Sequence, residues 1–598
     1  MNGNASQGEN SFWTAPSDEG LLISDLSVCK PQAAIADGPS QHDWYSIPYA
    51  TQDGIRGVML GKGELARPED LRLRLPANGW HAIYLGLYRG AAEPDRPFKD
   101  PFLIRVKLSG DPLFDCVRPG VSDQVVPNRA VARYASAIEE FFWKAADLDN
   151  HDLIISAATR ATHTAAQISF VRLVPMTSAE VEEYRHVSGP ANRNLAVQID
   201  GASGSLHHGV QTIEELIEGF EPLRNTDVGR VFLGTGGPGL TYYPTKVGEE
   251  YATAATELLT ESSRRAVESL RAYRSNGIDL VKERVDYLHS LGIEVFLGFR
   301  MGTTSDHPPA HVKSVPMWKE HPEWRCRDRD GNSIIRLSMA YPEVRQFYVK
   351  LFLELASYGI EGVQLIYTRR PPFVLFEDPV IEGFSREYGV DPRQLPEDSE
   401  LAGEFMTEGG FFTSDPRLER HWAGYITAFM RELRRALDER QRPDGGRIQV
   451  AANVLYNAAY NRAGGLDLET WVAEGLVDIL VPPTQAYDYA EERHIPVIDY
   501  DFFNKLTTGS TCVFYPDLFP RQMCAGEYVR QARKAYDGGA SGLAFWDSDV
   551  RVNMKSQWNT VRRLGHRDDL SRMEREHGGY LMHELNLIED WNPSTRFM

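Results

Sequence analysis

Tyr358-Gly359-Ile360-Glu361-Gly362-Val363-Gln364-Leu365-Ile366 joins a helical pattern to a strand pattern across one glycine. Upstream, Pro342 suits a first helical position, and Val344, Phe347, Tyr348, Leu351 and Leu355 recur at helical spacing. Downstream lies an apolar, strand-like run. A glycine closes a helix in the left-handed conformation at low steric cost. The same passage recurs at Leu291-Gly292-Ile293-Glu294 and at Glu474-Gly475-Leu476-Val477. Short loops from helix to strand, with long loops from strand to helix, are what a parallel barrel demands.

Counting outward gives eight strand candidates: Leu195–Asp200, Arg230–Thr235, Glu294–Arg300, Gly362–Arg369, Gln449–Leu455, Val477–Pro482, Thr511–Tyr515 and Gly542–Asp547. Eight is the number that closes a (β/α)8 TIM barrel, which is expected over residues 190–565. Asp467 reads as the N-cap of a helix over Leu468–Ala473. A doubly wound open sheet is the structural rival. Residues 21–180 differ in rhythm: Gly57–Leu60, Trp80–Tyr88, Phe102–Leu108, Leu153–Ala157 and Ala166–Leu173 are short apolar runs cut by turn residues. That pattern predicts an all-β sandwich domain. Residues 1–20 are too polar to bury anything and read as a tail, and 566–598 as an extension packing on the barrel.

The chain has 598 residues and a formal charge of −20, with 42% hydrophobic and 25% charged residues. This is the balance of a soluble globular protein. The acidic excess argues against nucleic acid and anionic membranes, whose phosphates call for a basic surface. No run approaches the roughly 20 apolar residues that span a bilayer, and no export signal is visible, so a cytoplasmic location is expected, or a secreted or periplasmic one if a leader precedes this sequence. Five scattered cysteines without a Cys-x-x-Cys pair predict buried thiols rather than disulfides or zinc.

In such barrels the chemistry sits at the carboxyl ends of the strands. There stand Asp200, Arg300, Tyr367, Arg369, Asn453, Tyr456, Tyr515, Asp517, Trp546, Asp547 and Asp549. Carboxylates, arginines and aromatic rings on one face suit a sugar, whose ring faces stack and whose hydroxyls need polar partners. The plainer reading is that several of these are ion pairs tying loops together. Long loops follow the third and fourth strands, carrying His307, His311, Trp318 and Trp324, then Arg370, Phe373 and Glu377. Gly234-Thr235-Gly236-Gly237-Pro238-Gly239 mimics a dinucleotide fingerprint, but Pro238 lacks an amide hydrogen and no helix opens behind it. The prolines of His307-Pro308-Pro309-Ala310-His311 forbid the helix a zinc protease needs. His207-His208 reads as a solvated pair. No metal or cofactor is expected.

The stretch Tyr358 to Pro371, together with His321-Pro322-Glu323-Trp324, Pro342-Glu343-Val344-Arg345, Gly389-Val390-Asp391-Pro392 and Gly542-Leu543-Ala544-Phe545-Trp546-Asp547, resembles the glycosyl-hydrolase-like TIM-barrel proteins, a set related to the α-amylase-type barrels. The likeness runs over about residues 190 to 565. It implies cleavage of a glycosidic bond in an oligo- or polysaccharide. Many relatives carry Asp where this chain has Ile366, so the acid work must come from elsewhere or be absent.

Glycoside cleavage uses two carboxyl groups, about 5 Å apart for retention or about 6.5–9.5 Å for inversion. Glu377, among Phe373, Phe376 and prolines, is the expected acid, because desolvation would raise its pKa. Asp547 is its expected partner and Asp200 the second choice. Arg300, Arg369 and Arg370 would grip a carboxylate or sulfate, or orient the catalytic pair. Trp318, Trp324, Tyr242, Tyr243 and Tyr456 are candidate stacking platforms, with Asn453, Tyr367, Trp546 and Asp549 as further substrate contacts. Two other readings stand beside the hydrolase: a carbohydrate-binding barrel without turnover, and a metal-assisted hydrolase using Asp200, His207 or His208 and Asp547.

Overall fold

Strand-forming residues sort into two sheet systems. The computed structural model describes residues 20–63, 66–89, 103–120, 137–157, 165–185, 192–202, 205–253, 260–302, 315–368, 373–398, 413–442, 444–488, 493–520, 523–546, 551–575 and 580–587. Besides the two-residue strand Ile35–Ala36, the described residues before the parallel sheet form ten strands: β1 (Leu21–Ile23), β2 (Trp44–Thr51), β3 (Arg56–Lys62), β4 (Leu71–Arg74), β5 (Trp80–Arg89), β6 (Ile104–Leu108), β7 (Asp115–Val117), β8 (Ala137–Asp147), β9 (Asp152–Ala157) and β10 (Ala166–Pro175). Strict alternation in Leu71-Arg72-Leu73-Arg74 buries the leucines and exposes the arginines, as period two requires. β4, β9, β6 and β7 form one antiparallel sheet in that order. Its Leu73, Val106 and Ile155 share a core with Leu85, Phe141 and Val171 of the larger sheet.

The larger sheet holds a strand from the far end of the chain. Its order is β1-β10-β3-β2-β19-β8-β5, where β19 is Tyr580–Leu587, and β10 also pairs with β5. The segment 566–598, expected on the barrel, therefore sends Tyr580–Leu587 between β2 and β8 instead. The reason is backbone pairing: without it, two strands in the middle of the sheet would face each other across unbonded edges. A charge cluster, buried at His583 and Glu140 and exposed at Asp53, fixes the insertion. His583 Nε2 lies 2.8 Å from Glu140 Oε2, its Nδ1 lies 2.5 Å from Asp53 Oδ2, and Arg172 Nε lies 2.6 Å from Glu140 Oε1. Burial lowers the imidazole pKa, but hydrogen bonds to Glu140 and Asp53 outweigh it and hold His583 above the usual histidine range.

The second system is an eight-stranded parallel sheet: β11 (Leu195–Ile199), β12 (Val228–Gly234), β13 (Glu294–Arg300), β14 (Gly362–Ile366), β15 (Gln449–Asn453), β16 (Ile479–Val481), β17 (Val513–Phe514) and β18 (Leu543–Phe545). Its order is β17-β16-β15-β14-β13-β12-β11-β18. A doubly wound sheet would place the first strand mid-sheet with a reversal there; here each of the first six strands pairs with its successor, the first also pairs with the eighth, and the seventh and eighth stand at the two ends of the order. Ser541 N donates to Phe514 O (3.1 Å), Ala544 N to Pro516 O (2.9 Å) and Leu518 N to Ala544 O (2.9 Å), linking the seventh strand to the eighth.

Helices run between the strands: α1 (Glu261–Ser275), α2 (Leu280–Ser290), α3 (Pro342–Ala356), α4 (Asp378–Tyr388), α5 (Pro416–Asp438), α6 (Leu468–Ala473), α7 (Tyr500–Thr507) and α8 (Ala525–Asp537), with α9 (Lys555–Val561) and α10 (Leu570–Arg575) after β18. In α3 the periodic set Val344, Phe347, Tyr348, Leu351 and Leu355 is buried, and Asp467 caps α6 through Thr470 N (3.0 Å). Gly292, Gly359 and Gly475 adopt φ of 67°, 75° and 65°. The sheet interior is filled by Ala196, Phe232, Phe296, Ala451, Ile479, Val481, Tyr515 and Ala544.

Polar contacts join the two systems. Arg105 Nη2 pairs with Glu218 Oε2 at 2.7 Å, Lys555 Nζ with Asp115 Oδ1 at 2.8 Å, and Asn559 Nδ2 donates to Phe142 O at 2.7 Å. Burial pushes the Glu218 carboxyl up to about 7, with Arg105 opposing. A pKa raised on folding adds stability that is complete below the unfolded value and is lost as pH rises through the folded one. Thermal stability should therefore fall between about pH 4.5 and 7, by on the order of 1–3 kcal/mol, and Glu218→Gln should flatten that slope; an unchanged slope contradicts the assignment. Removing residues 576–598 should lower the thermal midpoint by at least roughly 4 °C, and an unaltered midpoint would show that β19 adds nothing.

Candidate functional site

Each strand of the parallel sheet delivers its carboxyl end to one rim. Asp200 follows β11 at a tight turn: Gly201 has φ of 86°, and a Cβ there would lie 1.9 Å from Gly234 O. Asp200 Oδ1 accepts the Ala202 amide at 2.9 Å, and Oδ2 lies 3.8 Å from Arg300 Nη2 at the end of β13. The Arg300 side chain is 37% exposed and that of Asp200 15% exposed. The Arg300 guanidinium lies 5.8 Å from the centre of the Trp546 ring, which follows β18. Trp546 is held through its main chain: its N–H donates to Asp517 Oδ1 (2.9 Å), and its carbonyl accepts from Arg551 Nε (3.0 Å). Arg551 is buried and also donates to Leu518 O at 3.1 Å. Two carboxylates, one cation and one aromatic ring from β11, β13, β17 and β18 thus share the rim. Trp546 and Asp517 are buried, at 5% and 7% exposure, so Arg300 and Asp200 are the members of this group that present polar atoms at the rim, where they can bond sugar hydroxyls.

Directly below is a layer of amides. Register sets Arg300, Ile366 and Asn453 side by side on β13, β14 and β15. Gln364 Nε2 donates to Asn453 Oδ1 (2.6 Å) and Gln198 Oε1 (2.9 Å), and Asn453 Nδ2 donates to Gln198 Oε1 (3.2 Å). A bare neighbour makes room, since a Cβ on Gly298 would lie 2.6 Å from that of Gln364. Asn453 was expected to face substrate; its amide is buried and spent inward on this network.

Other expectations are corrected by burial. Glu377 is fully buried and accepts amide hydrogens from Leu375 (3.0 Å) and Arg327 (3.1 Å). Burial raises its pKa, as the sequence suggested, while the amides oppose the rise. The carboxyl fastens the loop after β14 to the strand Arg325–Arg327, and among the described residues it is fully enclosed rather than exposed at the rim. Tyr367 is buried against Phe373 (5.1 Å) and Trp471 (5.6 Å), with its hydroxyl 3.5 Å from Met430 Sδ in α5: it points to the helices, not the rim. The expected platforms are partly occupied. Arg325 covers one face of Trp318 at 3.8 Å, His321 stacks on Trp324 at 3.7 Å, and Tyr456, largely buried, leans on Tyr460 at 4.8 Å. Tyr242 packs edge-on to Tyr251, and buried Tyr243 to Tyr358.

Asp547, Asp549, Arg369, Arg370, His307 and His311 lie outside the described residues. Gly236-Gly237 pairs with Leu240-Thr241 in a small hairpin, so no helix follows the glycine run. His207 and His208 form a single 3-10 turn, and burial lowers the His208 imidazole pKa. Among the described residues no three His, Cys, Asp or Glu side chains are grouped to hold a metal. Sequence reasoning missed the amide layer and Arg551. A signal for the former existed: Gln198 and Gln364 are the lone polar residues in Leu-Ala-Val-Gln-Ile and Gly-Val-Gln-Leu-Ile.

Among solved structures the chain is similar to α-L-fucosidase isoenzyme 2 from Paenibacillus thiaminolyticus, at 12% identity over 63% of this chain and 49% of that one, TM-score 0.38. It therefore spans about half the length of that fucosidase. It is also similar to the catalytic domain of β-amylase from Paenibacillus polymyxa (10% identity, 64% of this chain, 98% of that one, TM-score 0.40) and to an α-galactosidase from Thermus thermophilus (11%, 87%, 95%, TM-score 0.32). Likenesses this distant carry no argument about the chemistry. No curated protein sequence matches. Residues 253–495 match the family described as Glycosyl hydrolase-like 10, in agreement with the resemblance read from Tyr358 to Pro371.

Proposed function

We propose that the protein is a glycoside hydrolase acting at the carboxyl-end rim of a complete (β/α)8 barrel. The observation that carries this reading is the meeting of Asp200, Arg300 and Trp546 at that rim, in a chain whose residues 253–495 match a glycosyl hydrolase-like family. Asp200 supplies one carboxyl. Asp547, next in sequence to the anchored Trp546, supplies the other. One of the pair protonates the leaving oxygen while its partner stays ionised. Arg300 binds the sugar by hydrogen bonding, with the buried Trp546 packed beside it. Oligo- or polysaccharide is the substrate class.

A second reading, glycan binding without turnover, draws on Ile366. It occupies the rim register between Arg300 and Asn453, where the family resemblance implies a carboxylate, and it is 2% exposed.

Reducing-sugar release across a panel of oligosaccharides tests both. Asp200→Asn and Asp547→Asn should each lower turnover by about 100-fold or more. Glu377→Gln should keep turnover but lower stability by about 1–3 kcal/mol, because one buried amide loses its acceptor. Full activity in both Asp variants contradicts the pair. Binding without hydrolysis in the unaltered protein favours the second reading.

A further inference from the structure

A groove of about 630 Å³ on the helical face of the barrel reverses the sign of the surrounding charge. It runs between the loop at Tyr243–Val247, the start of α2, the second half of α3 and Arg440 beyond α5. Lys246, Lys282, Lys350 and Arg440 line it, all exposed, in a chain whose net charge is −20. Both carboxylates of the groove are turned into its wall. Asp279 accepts from Val281 N (3.0 Å), Lys282 N (3.2 Å) and the Tyr358 hydroxyl (2.6 Å). Glu354 accepts from Lys246 N (2.6 Å), Thr245 Oγ1 (2.6 Å) and the Tyr243 hydroxyl (3.5 Å). Lys282 pairs with Asp286. Among the described residues, the side chains of Lys246, Lys350 and Arg440 pair with no carboxylate.

We infer that this groove is a second carbohydrate site, separate from the rim, for an acidic oligosaccharide. Four cations against two carboxylates leave this concave surface net positive, and with both carboxylates bonded to the wall it suits a ligand with spaced anionic groups, which Lys and Arg hold by charge-assisted hydrogen bonds. Ser357 and Tyr358 also line the groove, and their hydroxyls, which donate to Glu354 O and Asp279 Oδ2, keep lone pairs able to accept from sugar hydroxyls. A long polyanion such as nucleic acid is disfavoured, because the acidic remainder of the surface repels whatever extends beyond the groove. The choice of a glycan among short anions rests on the glycosidase reading; the anionic character does not.

The test is calorimetric titration of the full chain with a four-residue oligogalacturonate at low salt. The unaltered protein should bind it. The double variant K350A/R440A should bind at least about tenfold more weakly, K246A should bind more weakly too, and raised salt should weaken binding in the unaltered chain. Asp200→Asn at the rim should leave the affinity unchanged. No binding by the unaltered protein, equal binding by K350A/R440A, or equal affinity for a single-stranded DNA of the same charge would each overturn the inference. Binding in a chain that proves hydrolytically inactive would sink the glycosidase reading while leaving the groove in place.

Discussion

The pairing of the first strand of the parallel sheet with the eighth is the constraint on which the rest depends. Leu195, Ala196 and Val197 stand against Leu543, Ala544 and Phe545, residues almost 350 positions apart in the chain. An open sheet would leave those backbone groups on an unpaired edge. Pairing satisfies them and in the same step sets Asp200 and Trp546, each just past the end of its strand, at one rim. Arg300 reaches them from the third strand and Asp517 from the seventh. A slip of one residue would turn each inward side chain outward, so the site and the packing of the sheet share one register.

The same end of the sheet returns the chain to where it began. Beyond β18, α9 carries Lys555 and Asn559 onto the N-terminal sheets, and β19 then completes the larger of them. The two sheet systems are therefore joined by more than the link between β10 and β11. The contacts are charged and buried, with Arg105 on Glu218 and Lys555 on Asp115. Breaking one partner of such a pair leaves a charge in the interior, which costs more than the pair itself contributes.

Much of this was legible in the sequence because the signals are local. The glycines that end helices, the apolar periodicity of α3, the Asp467 cap and all eight parallel strands follow from chemistry within a few residues. The antiparallel character of residues 21–180 was legible for the same reason. What escaped depends on distance. Tyr580-Leu581-Met582-His583 carries no mark of a partner more than 400 residues upstream, so its place beside Ala137–Asp147 was invisible. Glu377 was read correctly as desolvated, but a raised pKa does not distinguish an acid facing substrate from one bonded to backbone amides. Tyr367 stood at a strand end by number, yet its alternation aims it at α5 rather than the rim. Asn453 was placed at the right height, and only the neighbouring glutamines show that its amide is already engaged.

The rim is thus spare: one carboxylate beside an arginine, a second carboxylate gripping the backbone of a tryptophan, and an uncharged layer of amides beneath. Its chemistry depends on what a sugar meets there. The most direct measurement is a crystal structure of the protein soaked with a hydrolysis-resistant thio-oligosaccharide. The expected result is a sugar ring at the rim with a hydroxyl bonded to Asp200 or Arg300. A rim left empty at saturating ligand, with the saccharide bound elsewhere, would contradict it.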